Sequence, residues 1–156
     1  MRVAGIAVEL VSPHRPTTWL VVLNDASGSA SLETSVPFPT AATDLATQLH
    51  DTATAVRSRL KGLAVDRVVL RRADFPPRPS KKEGPRLRLL MEGAVVSAAR
   101  SVVVDTRVGT GQDTGTWFGS DKAGVDSASS ALLSAAGVSN DYVEATSAGL
   151  AGLKAP

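Results

Sequence analysis

Residues 2–36 read RVAGIAVELVSPHRPTTWLVVLNDASGSASLETSV, and this stretch decides the fold. Arg2–Leu10 and Thr17–Leu23 are apolar runs rich in Val and other strand-forming residues, which predicts two buried strands. Turn-forming residues follow, and Ser29–Val36 then alternates apolar with polar side chains, as a half-buried strand does. The stretch therefore predicts a three-stranded antiparallel meander, ended by the two prolines that come next.

The rest of the chain alternates helical and strand patterns. Apolar residues at spacings of three and four predict a helix up to Leu63, capped by Thr40 or Thr43 and stopped by Gly62. The other predicted elements are a strand at Asp66–Arg72, a loop at Asp74–Gly84, a helix from Pro85 to Ala98, a strand at Ser101–Asp105, an irregular loop at Thr106–Ser120, and helices at Asp121–Ala136 and Asn140–Leu153.

This order of elements predicts an α/β fold of the ribonuclease H-like type. Its sheet would be mixed and five-stranded, with three antiparallel strands, then two parallel ones, and helices flanking both. No internal repeat or linker divides the chain, so residues 1–156 are expected to form a single domain. The fold alone names no function, because nucleases, transposases, sugar kinases and actin-like ATPases share it.

Composition removes several classes of protein. The chain has 156 residues, is 43% hydrophobic and has no cysteine, which excludes zinc ribbons, disulfide frameworks and thiol catalysis. No apolar run reaches the length of a signal peptide core or a membrane helix, so a cytoplasmic protein without a membrane partner is expected.

Three sequence blocks carry a resemblance to a known family. Leu87–Arg100 (LRLLMEGAVVSAAR), Phe118–Lys122 (FGSDK) and Asp141–Ala145 (DYVEA) resemble, in order and spacing, segments of RuvC-type Holliday junction resolvases. The resemblance implies the fold above, a DNA partner and two magnesium ions. In that family the ions are held by an aspartate in the first strand, a glutamate ending the fourth and two acids of the final helix. A homodimer is also implied, with the face around Ala94, Val95 and Ala98 as a candidate that core packing explains equally well.

The departures from that pattern predict a degenerate active site. Ala7 stands where the first-strand aspartate is expected, and the fourth strand ends in Leu70-Arg71 with no acid. Only Asp141 and Glu144 carry over, with Glu144 replacing an aspartate. Losing two of four anionic ligands should weaken metal binding severely.

A rearranged metal site is the alternative. Glu9 lies two residues beyond Ala7, hence on the same strand face, and Asp74 lies just beyond the fourth strand. Glu9, Asp141 and Glu144 would then be catalytic, with Asp141 and Glu144 holding Mg²⁺ or Mn²⁺. In isolation, however, the last two acids are also explained as first-turn residues that favour the helix dipole.

Basic residues suggest a nucleic-acid surface. The predicted contacts are Arg71, Arg72, Arg78, Lys81, Lys82 and Arg86, which together with Arg88 cluster after the fourth strand, and Lys122 of the resemblance. Clustered cations suit the phosphate backbone because each neutralised phosphate releases counterions. A solvated, charge-rich loop is the alternative reading.

A glycine-rich run, Gly109–Gly115, follows the predicted fifth strand, but a helix is not expected to begin within it, so no dinucleotide cofactor is predicted. Three functional hypotheses remain. They are a catalytically degenerate RuvC-like protein that binds branched or duplex DNA, an active metal-dependent junction endonuclease with a rearranged carboxylate site, and a non-catalytic protein-interaction module.

Overall fold

A computed structural model describes residues 1–12, 15–26, 28–74 and 83–156. The strands are β1 (Arg2–Ser12), β2 (Arg15–Asp25), β3 (Ala30–Pro39), β4 (Arg67–Arg71) and β5 (Thr106–Gly109). The helices are α1 (Leu45–Leu63), α2 (Glu83–Arg100), α3 (Gly111–Phe118), α4 (Lys122–Ala135) and α5 (Val143–Lys154), and a single 3-10 turn at Asn140–Tyr142 precedes α5. Among the described helices, none is long and apolar enough to cross a membrane.

The strands form one five-stranded sheet in the order β3-β2-β1-β4-β5. β1, β2 and β3 pair antiparallel, whereas β1 pairs parallel with β4 and β4 parallel with β5. This topology confirms the predicted α/β fold with three antiparallel and two parallel strands. The carboxyl ends of β1, β4 and β5 meet on one side of the sheet, called the carboxyl edge below.

Helices cover both faces of the sheet. On one face, α1 and α2 bury Val56 and Met91 against residues of β1 such as Ile6. On the other face, α4 and α5 pack Val125 and Ala145 against strand residues that point the opposite way, such as Ala7 of β1 and Val21 of β2. Within α2, the proposed dimer residues Val95 and Ala98 are 0% and 1% exposed, so core packing accounts for both.

The region after α2 corrects two predictions. Ser101–Asp105 is not a strand, and the predicted loop at Thr106–Ser120 instead contains β5 and α3. β5 has only four residues, two of them polar, and it exists because its backbone pairs with β4. A capping box of Thr110 and Asp113 begins α3, since each side chain accepts a hydrogen bond from the other residue's backbone N–H.

Smaller differences concern element ends. β3 does not stop at Pro37 but continues through it to Pro39, which an edge strand tolerates because one side of its backbone needs no partner. Asp44, rather than Thr40 or Thr43, caps α1 by accepting from the Thr47 N–H at 2.9 Å. The last helical residue is Leu63, and Ala64, whose φ of 47° is left-handed, is the C-cap in place of the predicted stop at Gly62.

Small residues bring α5 unusually close to the sheet. A Cβ added to Gly5 of β1 would lie 2.5 Å from the Gly149 nitrogen and would also clash with the Ala145 carbonyl oxygen. A Cβ on Gly152 would likewise collide with Val3 and Val69. The position of α5, and of the acids at its start, therefore depends on the absence of side chains at these contacts.

Gly5→Ala is expected to lower the free energy of unfolding by about 3 kcal/mol or more, since the clashing atoms are backbone and cannot rotate away. Gly93→Ala is the matched control because Gly93 is an exposed residue of α2 with open space around it. This control should stabilise the protein by up to about 1 kcal/mol through helix propensity. Urea denaturation measures the free energy of unfolding of both variants. Similar changes from wild type in the two would contradict the close approach of α5.

Candidate functional site

A cleft of about 280 Å³ lies at the carboxyl edge. It is formed by β1, β2, α2 and the start of α5 with the turn before it, and its lining residues are Ala7, Glu9, Trp19, Arg88, Asn140, Asp141, Val143 and Glu144. The three acids predicted from sequence, Glu9, Asp141 and Glu144, thus share one cleft. Arg88, which sequence reasoning did not place there, lines it too.

The two positions that lack the expected acids are direct neighbours. Ala7 of β1 and Arg71 of β4 are partners in the parallel register. The Ala7 methyl group is 1% exposed and packs in the same core cluster as Tyr142. This part of the carboxyl edge therefore offers one apolar side chain and one cation where a metal site needs carboxylates.

Arg71 is an interior residue. Its side chain is 2% exposed and forms an ion pair with Asp126 of α4, in which both terminal nitrogens donate, the Nη2–Oδ2 distance being 3.2 Å. The Ser147 hydroxyl of α5 donates to the same carboxylate at 2.7 Å. Sequence reasoning placed Arg71 among the nucleic-acid contacts, and its burial corrects that assignment.

These contacts also set the ionisation of Asp126. Burial raises the pKa of Asp126, but hydrogen bonds from Arg71 and Ser147, with the charge of Arg71, outweigh it and hold the pKa below its ordinary value. The buried guanidinium is therefore neutralised by a carboxylate that stays ionised.

Arg88 joins the two helical layers across the cleft. Its Nε donates to Glu92 Oε1 at 2.9 Å within α2, and its Nη2 donates to Glu144 Oε2 at 2.8 Å in α5. The side chain is 20% exposed. Because α2 and α5 cover opposite faces of the sheet, this guanidinium links them directly over the strand ends.

Glu92 is the second site residue that sequence reasoning missed. Its side chain is 4% exposed, and Oε1 accepts from the Ala73 N–H at 2.8 Å as well as from Arg88. Oε2 is buried without a partner among the described residues. Burial raises the pKa of Glu92 above its ordinary value despite these hydrogen bonds. The four-residue spacing of Arg88 and Glu92 was the available signal for their pairing.

The other two acids are held by neutral donors. Trp19 Nε1 donates to Glu9 at 3.0 Å, and the Trp19 ring packs edge-on against Tyr142 with 4.7 Å between centroids. The Ser139 hydroxyl donates to Asp141 at 2.8 Å. Asp141 lies in the 3-10 turn, so only Glu144 belongs to the first turn of α5.

These residues do not fit a magnesium site. Mg²⁺ requires oxygen ligands at about 2.0–2.1 Å in octahedral geometry. Across residues 1–12, 15–26, 28–74 and 83–156, no three His, Cys, Asp or Glu side chains converge closely enough to hold a metal ion. Glu144 is instead paired with Arg88, whose positive charge repels a second cation.

The remaining predicted DNA contacts differ in accessibility. Arg86 is exposed in the first turn of α2, and Arg72 is half-buried just after β4. The Lys122 ammonium group lies 2.6 Å from Asp74 Oδ2 and stays 45% exposed. Arg78, Lys81 and Lys82 lie outside the described residues.

The glycine-rich run corrects a further expectation, because α3 does begin inside it, at Gly111. The amides at this helix start are already paired. Gly111 N–H donates to Asp74 at 2.9 Å and Thr110 N–H to Asp113 at 2.7 Å. Two carboxylates therefore already accept hydrogen bonds from N–H groups that a cofactor phosphate would use.

Comparison with solved structures identifies the fold as RuvC-like and ribonuclease H-like. The Thermus thermophilus RuvC structure superposes with a TM-score of 0.70 at 15% sequence identity, covering 97% of this chain and 92% of that one. The T. thermophilus RuvC structure in complex with a Holliday junction substrate gives 0.71 at 16% identity, with the same coverage. No protein-family model and no curated protein matches the chain.

The Arg71–Asp126 pair predicts an asymmetric response to substitution. Asp126→Ala should cost roughly 3 kcal/mol of unfolding free energy, because it strands a fully buried guanidinium. Arg71→Met should cost less, since the Asp126 side chain is 30% exposed and keeps its hydrogen bond from Ser147. Glu33→Ala, which breaks the exposed Arg2–Glu33 pair, is the control and should cost about 1 kcal/mol or less.

The same pair gives a pH signature. The pKa of Asp126 is lower in the folded protein than its ordinary value of about 3.9. The ionised carboxylate therefore contributes fully to the free energy of unfolding above the ordinary pKa, and this contribution is lost as pH falls through the lower folded pKa. In urea denaturation, the difference in free energy of unfolding between wild type and Asp126→Ala should be constant near neutrality and should decrease below about pH 4. A gap that keeps its size in strong acid would contradict the ionised pair.

Proposed function

We propose that this protein binds branched or duplex DNA through basic residues around the carboxyl edge and does not cut it. The observation that carries the proposal is the pairing of Glu144 with Arg88 in the cleft. This contact places a cation of the protein itself on the acid that a metal-dependent nuclease would need for its metal.

DNA as the partner is supported by the fold and by the charge distribution. The similar RuvC structure was solved with a Holliday junction substrate. In this chain, exposed Arg86 lies in the first turn of α2, shortly after the segment 75–82 in sequence, and half-exposed Lys122 of α4 pairs with Asp74, which directly precedes that segment. That segment adds Arg78, Lys81 and Lys82 to the local charge. Such clustering favours a polyanion.

The cleft floor is a poor phosphate site. Glu9, Asp141 and Glu144 contribute three negative charges, and Arg88 contributes one positive charge. In a nuclease of this fold, metal ions would neutralise the acids and hold the phosphate. Here the acids repel phosphate, so DNA contact is assigned to the basic residues bordering the cleft, and cutting is not expected.

Charge-neutralising variants test the DNA surface. Lys81→Gln/Lys82→Gln should weaken binding to a four-way junction and to a linear duplex, and should make the dependence of log affinity on log salt shallower by about 2. Arg59→Gln/Lys61→Gln is the matched control. These two residues are exposed near the end of α1, and α1 ends at the opposite side of the sheet, where Arg2 donates to the Leu63 carbonyl.

Fluorescence anisotropy across a salt series measures both double variants at equal net charge. Equal weakening by the two would show binding governed by net charge alone and would contradict the assigned surface. An absence of DNA binding by the wild type, together with a stable protein complex, would favour an interaction module instead.

Binding without cutting is tested with metals. Junction affinity should be unchanged, within about twofold, when EDTA replaces Mg²⁺ at matched ionic strength, since no metal is needed to bridge protein and phosphate. No cleavage of labelled junction should occur with Mg²⁺ or Mn²⁺ on denaturing gels. Metal-dependent cleavage that Asp141→Asn abolishes would instead establish the rearranged nuclease, whereas cleavage that survives this substitution indicates a contaminant.

A further inference from the structure

The cleft at the carboxyl edge suits neither phosphate nor a metal ion, but its lining fits a flat, uncharged group. We propose that it receives one unpaired nucleobase of the bound DNA, of the amino-bearing kind such as cytosine, while the basic residues around it hold the backbone. The inference rests on the proposed function, since it gives the cleft a role within DNA binding. It adds a preference for DNA that carries an extrahelical base.

The spacing of the acids is the first support. Glu9, Asp141 and Glu144 line one cleft of about 280 Å³, yet no three acids in the part of the chain that the structure describes converge closely enough to hold a metal ion. A ligand that reaches several of these carboxylates must therefore be larger than an ion. The cleft volume lies just below the range of about 300–1,000 Å³ typical of small-molecule sites, which suits a single flat ring system.

Trp19 supplies an aromatic wall that is already held in place. Its Nε1 donates to Glu9 at 3.0 Å, and its ring packs edge-on against Tyr142. The side chain is half-buried and lines the cleft. Aromatic side chains are the usual stacking surface for unpaired bases, because every base has a π face. Since two contacts already fix the indole, stacking on it costs little ordering entropy.

Hydrogen-bonding groups in the cleft select the kind of base. Each of the three acids accepts a hydrogen bond through one oxygen, and among the described residues its other oxygen has no donor. Carboxylates accept from exocyclic amino groups such as N4 of cytosine, whereas the O4 carbonyl of thymine would meet them as a second acceptor. Asn140 accepts from the Ser130 hydroxyl at 2.9 Å through Oδ1, so its NH₂ group remains available for a base carbonyl.

The charge pattern agrees with this division between base and backbone. A base carries no phosphate, so it can enter a cleft whose acids repel the backbone. Arg86 and Lys122, two of the basic residues assigned to the phosphates, do not line the cleft, so base and backbone are bound by different residues. Proteins that extrude a base from the stack likewise hold it by stacking and by hydrogen bonds to its Watson–Crick edge.

Four DNA probes test the inference with the wild-type protein. They are a perfect duplex and the same duplex with one extra residue in one strand, which is cytosine, thymine or an abasic sugar. The three bulged probes carry the same number of phosphates, so affinity differences among them report the base. Fluorescence anisotropy should show about tenfold tighter binding of the cytosine bulge than of the abasic bulge, with thymine between them. This ratio should not change with salt, because no additional phosphate is contacted.

Substitution of each tryptophan locates the base. Trp19→Leu should reduce the affinity for the cytosine bulge to that for the abasic bulge. Trp117→Leu is the matched control and should keep the tenfold ratio, because Trp117 is the other tryptophan of the chain and packs against Gly109 outside the cleft. Urea denaturation checks that both variants are folded. The comparison of probes needs no substitution, so it tests the inference even if Trp19→Leu does not fold.

Three results would contradict the inference. Equal affinity of the wild type for the cytosine and abasic bulges, with DNA still bound, would overturn it and leave the proposed function standing. A cytosine preference that survives in folded Trp19→Leu would place the base outside the cleft. Absence of binding to all four probes would overturn the proposed function and this inference with it.

Discussion

The contact between the Gly5 backbone and α5 is the constraint on which the site depends. No side chain separates β1 from α5 at Gly5, and Gly152 allows the same approach to Val69 of β4. The helix therefore lies against the centre of the sheet, and its first turn, with Glu144, reaches the carboxyl edge beside Ala7. From the opposite face, α2 supplies Arg88, so the cleft exists where the two helical layers meet over the strand ends.

Charge at this edge follows from which side chains are buried. An arginine at the end of a covered, central strand cannot reach solvent, so Arg71 needs an anion within the fold, and α4 supplies Asp126. Ser147 completes the carboxylate's hydrogen bonding from α5. Arg71, which stands where the resemblance implies an acid, is thus tied directly to α4 through Asp126 and indirectly to α5 through Ser147.

Sequence patterns predicted a mixed sheet of three antiparallel and two parallel strands with flanking helices, because apolar periodicity reports burial directly. They failed at β5 and α3. The four residues of β5, only one of which is a β-branched apolar residue, become a strand only by pairing with β4. The capping box at Thr110 was a readable signal, but the surrounding glycines obscured it. At the site, the family resemblance implied that the first strand and the final acids meet, and strand alternation then grouped Glu9 with those acids. The pairing of Arg71 with Asp126 and of Arg88 with Glu144 was not predicted, because these partners lie 55 and 56 residues apart in sequence.

A guanidinium and a divalent metal ion are different cations, and the difference bears on function. Both neutralise nearby carboxylates, but arginine is a permanently protonated monocation that donates hydrogen bonds and accepts no ligand. It cannot acidify a bound water or hold the attacking and leaving oxygens of a phosphodiester together, as a pair of metals does. Its Nε and Nη2 already donate to carboxylates, and the acids that surround Arg88 repel phosphate. Under the proposed function, recognition of DNA is therefore assigned to the surrounding basic residues, which would separate binding physically from cutting.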